Sequence, residues 1–172
     1  VNLYNYFSKF NYGSKSIYLK EFFVAITELG DSLWYFLIFI LIFFISFFVK
    51  KTKKISIKNK NYLKNFSVYS FSYLLIVGFV TQILKHLIGR ARPNHIDIKE
   101  GFEYSFFSLD SAFHSFPSGH SSTIIAVTLI ACSIIPSLSI FFYFCGFLIA
   151  LSRVVVGAHF ITDVVAGALI AI

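Results

Sequence analysis

Asp163 follows His159 by four residues, one helical turn, which on a helix sets a carboxylate beside an imidazole. A carboxylate in that place can fix the ring's tautomer and stabilise its charged form, so the imidazole can serve as nucleophile or base. A second imidazole, His120, ends the run Pro117-Ser118-Gly119-His120. Ser118 is placed there to cap a helix, and the free amides at a helix start favour an anion. The chain has three arginines, Arg90, Arg92 and Arg153, and all three lie close in sequence to these groups or to Lys85. A guanidinium presents a planar fork of donors that matches phosphate oxygens in pairs, which an ammonium cannot do. Lys85, Arg92 and Arg153, with the amides of the Ser118-Gly119-His120 stretch, would thus compose a pocket for a dianionic phosphate. His120 and His159 add groups that change protonation near neutral pH. Singly, each residue has a plainer reading. Lys85 snorkels at a helix end, Arg90 and Arg92 are solvated loop charges, Ser118 and Asp163 cap helices, and a lone histidine is structural. Only their convergence argues for chemistry.

Convergence requires elements that bring the blocks together. Of 172 residues 57% are apolar and 13% charged, where a soluble domain carries about 25% charged residues. Lipid is therefore the solvent for much of the surface. Five apolar segments, at 33–49, 66–84, 119–135, 137–152 and 160–172, read as helices. A span needs about 20 apolar residues, in a range of about 17–25. The first three segments meet that easily, while the fourth is short and the fifth is cut off by the end of the chain. The alternation of a barrel strand is missing. The expected fold is all-α, a polytopic transmembrane helix bundle. Ser16 to Gly30 reads as an amphipathic helix on the membrane surface, with apolar Tyr18, Phe22, Ile26 and Leu29 interrupted by Lys20, Glu21 and Glu28. This divides the chain into an N-terminal segment, 1–32, and a transmembrane domain, 33–172. The chain opens on Val, contains no Met and stops within an apolar run, which predicts a fragment, or an alternative start codon at the front, with a truncated last helix.

Charge sets the topology. Seven of the twelve lysines fall between Lys50 and Lys64, directly after an apolar run, which marks a cytoplasmic segment. This accounts for the net charge of +7 without nucleic acid as a partner. The loop 85–118 is then external, with Lys85, Arg90, Arg92 and Lys99 nearly cancelled by Asp97, Glu100, Glu103 and Asp110. The loop around Pro136 is internal and 153–159 external, so all three blocks meet at one external face. Cys132 and Cys145 lie inside apolar segments and read as small buried residues.

In order, the blocks are Lys85, Arg92-Pro93; Pro117-Ser118-Gly119-His120; and Ser152-Arg153, His159, Asp163. This pattern, K-x6-R-P, P-S-G-H, S-R-x5-H-x3-D, resembles the type 2 phosphatidic acid phosphatase (PAP2) superfamily in its membrane branch, over about residues 85–163. Members of that branch usually have six spans, against at most five here. The resemblance implies a lipid phosphate substrate and a phosphohistidine intermediate formed without metal or cofactor. His159 would attack phosphorus, Asp163 would orient and polarise it, and His120 would protonate the leaving alkoxide and then activate water. Lys85, Arg92, Ser118, Gly119 and Arg153 would hold the phosphate oxygens. Arg90, His86, His95 and His114 lie outside the motif. It further implies a bacterial inner-membrane location with the site facing the periplasm. Oligomeric state is left open. Soluble acid phosphatases and vanadium haloperoxidases share the blocks but need no spans. A zinc site on His120, His159 and Asp163 competes poorly with three guanidinium groups and a lysine that would repel a dication. A phospholipid-binding or transport protein without turnover needs the basic groups but neither histidine nor Asp163.

Overall fold

Each predicted apolar segment forms a helix. The computed structural model describes residues 14–48, 57–94 and 103–172. Lys50, Lys51, Lys53 and Lys54 of the lysine-rich segment, and His95, Asp97, Lys99 and Glu100 of the external loop, lie outside those residues. Helix α1 (Ser14–Thr27) runs into a 3₁₀ turn, Glu28–Gly30, and α2 (Ser32–Phe48) follows. Then come α3 (Ile57–Ile88), α4 (Gly119–Ile134), α5 (Ser139–Val155) and α6 (Ile161–Ile170).

Among the described residues two stretches, Asn61–Ile88 and Pro136–Val155, are long and apolar enough to cross a membrane. Tyr18–Gly30 and Ser32–Phe48 qualify together, bent by 42° at their junction, as a broken span or a re-entrant loop. Helix α4, expected to span with ease, has only 16 residues. At 1.5 Å per residue that is about 24 Å, short of a hydrocarbon core of about 30 Å. Pro117 and the serine cap start the helix late, and Pro136 closes it early. Helix α1, read from sequence as a surface helix, packs against α5, and the 3₁₀ turn after it reaches α4.

Helix α4 is the centre of the bundle, with α2, α3, α5 and α6 packed around it. Its buried residues include Ser121, Ser122, Ala126 and Thr128. Small side chains let neighbouring backbones approach closely, which is how helices associate when lipid removes the hydrophobic drive. Larger apolar groups fill two sides, Phe39 and Leu74 with Ile130, and Ile149 and Ala150 with Ile124. Outward-facing Phe79, Ile140 and Leu169 are well exposed, as a lipid-facing surface requires. Tyr73 Oη donates to the carbonyl of Ala171, tying α3 to the end of α6.

Between α3 and α4 the chain is held by backbone bonds on both sides of residues 89–92. Ser105 N donates to Gly89 O at 2.7 Å and Ala91 N to Glu103 O at 3.0 Å. From the other flank, Arg92 N donates to Ala112 O at 2.9 Å and Ser115 N to Arg90 O at 2.9 Å. Gly89 makes this possible: its φ is +56°, and a Cβ there would fall 1.6 Å from Ser105 O. The short segment carrying Arg90 and Arg92 is thus anchored directly beyond Lys85.

Candidate active site

Lys85 lies one turn from the end of α3, His120 in the first turn of α4, Arg153 in the last turn of α5, and His159 just before α6. All four, with Arg92 and Gly119, line one cavity of about 270 Å³. Six of the eight residues expected at the site therefore share a wall. The other two stand behind it, Ser118 and Asp163, both fully buried.

His159 is 3% exposed. The turn Val156–Ala158 places it: Gly157, with φ +75°, reverses the chain, and the amides of Ala158 and His159 both donate to Arg153 O at 3.1 Å. Nδ1 of His159 is 2.7 Å from the carbonyl oxygen of Ser115. A carbonyl can only accept, so Nδ1 carries the proton and Nε2 is left with its lone pair. The Asp163 carboxylate is 3.7 Å from Nδ1. The ring is therefore oriented by the Ser115 carbonyl, and Asp163 acts on it through charge. Burial, the largest influence, pushes the His159 pKa down to about 4; Lys85, Arg153 and Arg92 push the same way, and Asp163 opposes them.

Asp163 is held on every side. Arg90 Nη1 donates to Oδ1 at 2.6 Å, while Ser115 Oγ (2.5 Å) and Phe160 N (2.8 Å) donate to Oδ2. Arg90 also donates to Thr162 Oγ1 at 2.7 Å and lies over the Phe160 ring, 4.2 Å from its centroid. These contacts make Asp163 an anion with no slack.

Each cation is held by one of its own N–H donors. Lys85 Nζ donates to His114 O at 2.8 Å, Arg92 Nε to Ser111 O at 3.0 Å, and Arg153 Nη1 to Thr27 Oγ1 at 2.8 Å. Each retains further N–H donors. At the start of α4, Ser118 Oγ accepts from Ser121 N, and Ser118 O from Ser122 N at 3.1 Å. The amides of Gly119 and His120, at the wall, are left for an anion. Ser118, also expected as a phosphate ligand, caps the helix that offers those amides. Among the described residues no group of three or more His, Cys, Asp or Glu is disposed to hold a metal ion. His86 and His114 pack ring on ring, 4.4 Å between centroids, outside the cavity wall.

Three contributions were not read from sequence. Arg90 was left outside the motif, although it is one of three arginines in a lysine-rich chain. Ser115 acts through a backbone carbonyl, which no residue type announces. Gly30, Asp31 and Ser32 line the cavity from the junction of α1 and α2, where glycine and aspartate read as an ordinary helix boundary.

A family model described as the PAP2 superfamily matches residues 66–172. A lipid A 1-phosphatase of Rhizobium etli is 36% identical over 87% of this chain, and one of Rhizobium johnstonii is 37% identical over 87%. The chain spans 65% and 62% of the length of these relatives. Among solved structures, a transmembrane PAP2 type phosphatidylglycerolphosphate phosphatase from Bacillus subtilis superposes with a TM-score of 0.59 at 25% identity, over 90% of this chain and 71% of that one. Aquifex aeolicus LpxE superposes with a TM-score of 0.60 at 20% identity, over 99% and 89%, which is a likeness of fold.

Proposed function

The chain is an integral membrane protein of the PAP2 superfamily, and from that premise we propose that it removes phosphate from a lipid through a phosphohistidine at His159. The observation that carries this reading is the tautomer of His159. With Nδ1 donating to Ser115 O, the free lone pair of Nε2 belongs to a buried ring in a cavity lined by Lys85, Arg92 and Arg153. Phosphoryl transfer asks for little else: a positioned nucleophile and donors around the equatorial oxygens. Nε2 attacks phosphorus, the P–O bond to the lipid breaks, and His120, which takes up a proton beside the bound phosphate dianion, gives that proton to the departing oxygen. Water then attacks the phosphohistidine, His120 takes up the water proton, and inorganic phosphate leaves. Asp163 stabilises the positive charge on the His159 ring. The amides of Gly119 and His120 join the three cations around the phosphate.

The names of the two Rhizobium relatives favour the 1-phosphate of a lipid A-type glycolipid as the substrate. The functional unit is the bundle over 33–172 together with the end of the 1–32 segment, and the site faces the periplasm of a bacterial inner membrane. Purified protein in detergent should release phosphate from lipid A, and the screen should include phosphatidic acid, phosphatidylglycerol phosphate and undecaprenyl pyrophosphate. Turnover should survive EDTA, stop with vanadate, and vanish in His159→Ala. Activity lost in EDTA and restored by zinc, or wild-type turnover in His159→Ala, would refute the mechanism.

A further inference from the structure

The junction of α1 and α2 is built with more care than a connection requires. Asp31 breaks the helix with an extended ψ of 126°, and the chain bends by 42° there. Its carboxylate caps α2, Oδ1 accepting from Leu33 N at 2.9 Å. Tyr35 Oη, from the first turn of α2, reaches back to donate to Leu29 O at 2.5 Å. Asp31 N donates to Glu28 O at 3.1 Å. The elbow is thus cross-tied on both sides of the bend, and it sits against the catalytic wall. Gly30 is buried, and a Cβ there would lie 3.0 Å from both Cβ and Cδ2 of His120. The bare backbone of Gly30 is therefore packed against the imidazole. One turn earlier, Thr27 is 6% exposed and accepts the hydrogen bond from Arg153.

We propose that this elbow is a positioning element of the reaction: Gly30 holds the His120 ring where it can deliver a proton to the departing lipid oxygen, and Thr27 steadies Arg153 beside it. The proposal rests on the phosphatase reading above and assigns the N-terminal segment a part in it. A ring free to tilt would still leave His159 able to attack, but the leaving oxygen would depart unprotonated. That matters for an alkoxide and hardly at all for a leaving group stable as an anion. Correct placement of a general acid contributes roughly 10²–10⁴-fold.

The test compares kcat/KM, which covers the steps through phosphohistidine formation, on a lipid phosphate and on 4-nitrophenyl phosphate. Gly30→Ala should lower it at least tenfold on the lipid phosphate and less than threefold on the aryl phosphate. In a His120→Asn background the same substitution should add nothing, since its effect runs through that ring. Tyr35→Phe removes one tie of the elbow without adding atoms, and should give the same selectivity at smaller amplitude if Gly30→Ala does not fold. Equal losses on both substrates, or a full further loss in the His120→Asn background, would overturn the proposal. Wild-type protein that releases phosphate from neither substrate would overturn the phosphatase reading beneath it.

Discussion

At the scale of the residue, the site is governed by what burial does to His159. An imidazole ordinarily titrates near 6.5, which would leave a substantial fraction protonated, and useless as a nucleophile, in mildly acidic surroundings. Here burial first, and the neighbouring cations second, hold the pKa down to about 4. The lone pair on Nε2 is therefore available throughout the physiological range. The same displacement links folding to pH. Between about pH 6.5 and 4 the unfolded chain takes up a proton on this ring that the folded chain refuses. Stability from this group is complete above about 6.5 and declines as pH falls through the window, at about 1.36 kcal/mol per unit. Thermal unfolding in detergent should show wild type losing stability faster than His159→Asn between pH 6.5 and 4. Parallel curves would mean that His159 is protonated in the folded protein like a surface histidine.

At the scale of the element, the catalytic loop and α6 are joined to the segment after α3 by one buried ion pair, Arg90 with Asp163. Both side chains are under 10% exposed, so removing one charge strands the other. Breaking such a pair typically costs about 3–5 kcal/mol. Arg90→Gln should lower the unfolding temperature and kcat together, and Arg90→Lys should restore part of each, measured by thermal melts and phosphate release. Wild-type melting and turnover in Arg90→Gln would show that Ser115 and the Phe160 amide suffice to hold Asp163. This pair also marks where sequence reading stops. Lys85, Arg92, His120, Arg153 and His159 were legible because their spacing is local and the span topology alone delivers them to one face. The partnership of Arg90 with Asp163 joins positions 73 apart, and neither residue type nor spacing encodes it. The orienting role of the Ser115 carbonyl is equally silent, since every residue has one. The contact of the elbow at Gly30 with His120 is silent in the sequence for a related reason. The apolar residues of 16–30 describe a helix with one apolar side equally well whether it lies on a bilayer or against α5, and only the tertiary partner decides.

At the scale of the whole molecule, a belt of exposed apolar side chains suits the bundle to the bilayer, and charge asymmetry is the ground for the orientation proposed above. The site-bearing ends of α3 to α6 share one face of the bundle, and Lys64, the last lysine of the lysine-rich segment, lies 21 residues before Lys85 on the long α3. At 1.5 Å per residue that separation exceeds the hydrocarbon thickness. The two ends are therefore far enough apart to lie on opposite sides, and the orientation proposed above, with the lysines in the cytoplasm, is the one the positive-inside rule favours. The loop beyond α3 that braces the cations, residues 103–115, carries Glu103 and Asp110 and no lysine or arginine, so it offers no cytoplasmic retention signal. The orientation can be tested in intact cells after replacing Cys132 and Cys145 with alanine. A cysteine at Leu109, which is 86% exposed in that loop, should react with a membrane-impermeant maleimide. A cysteine at Lys53 should react only after the membrane is permeabilised. The reverse pattern would put the site in the cytoplasm, and the phosphate would then be removed from lipids of the inner leaflet.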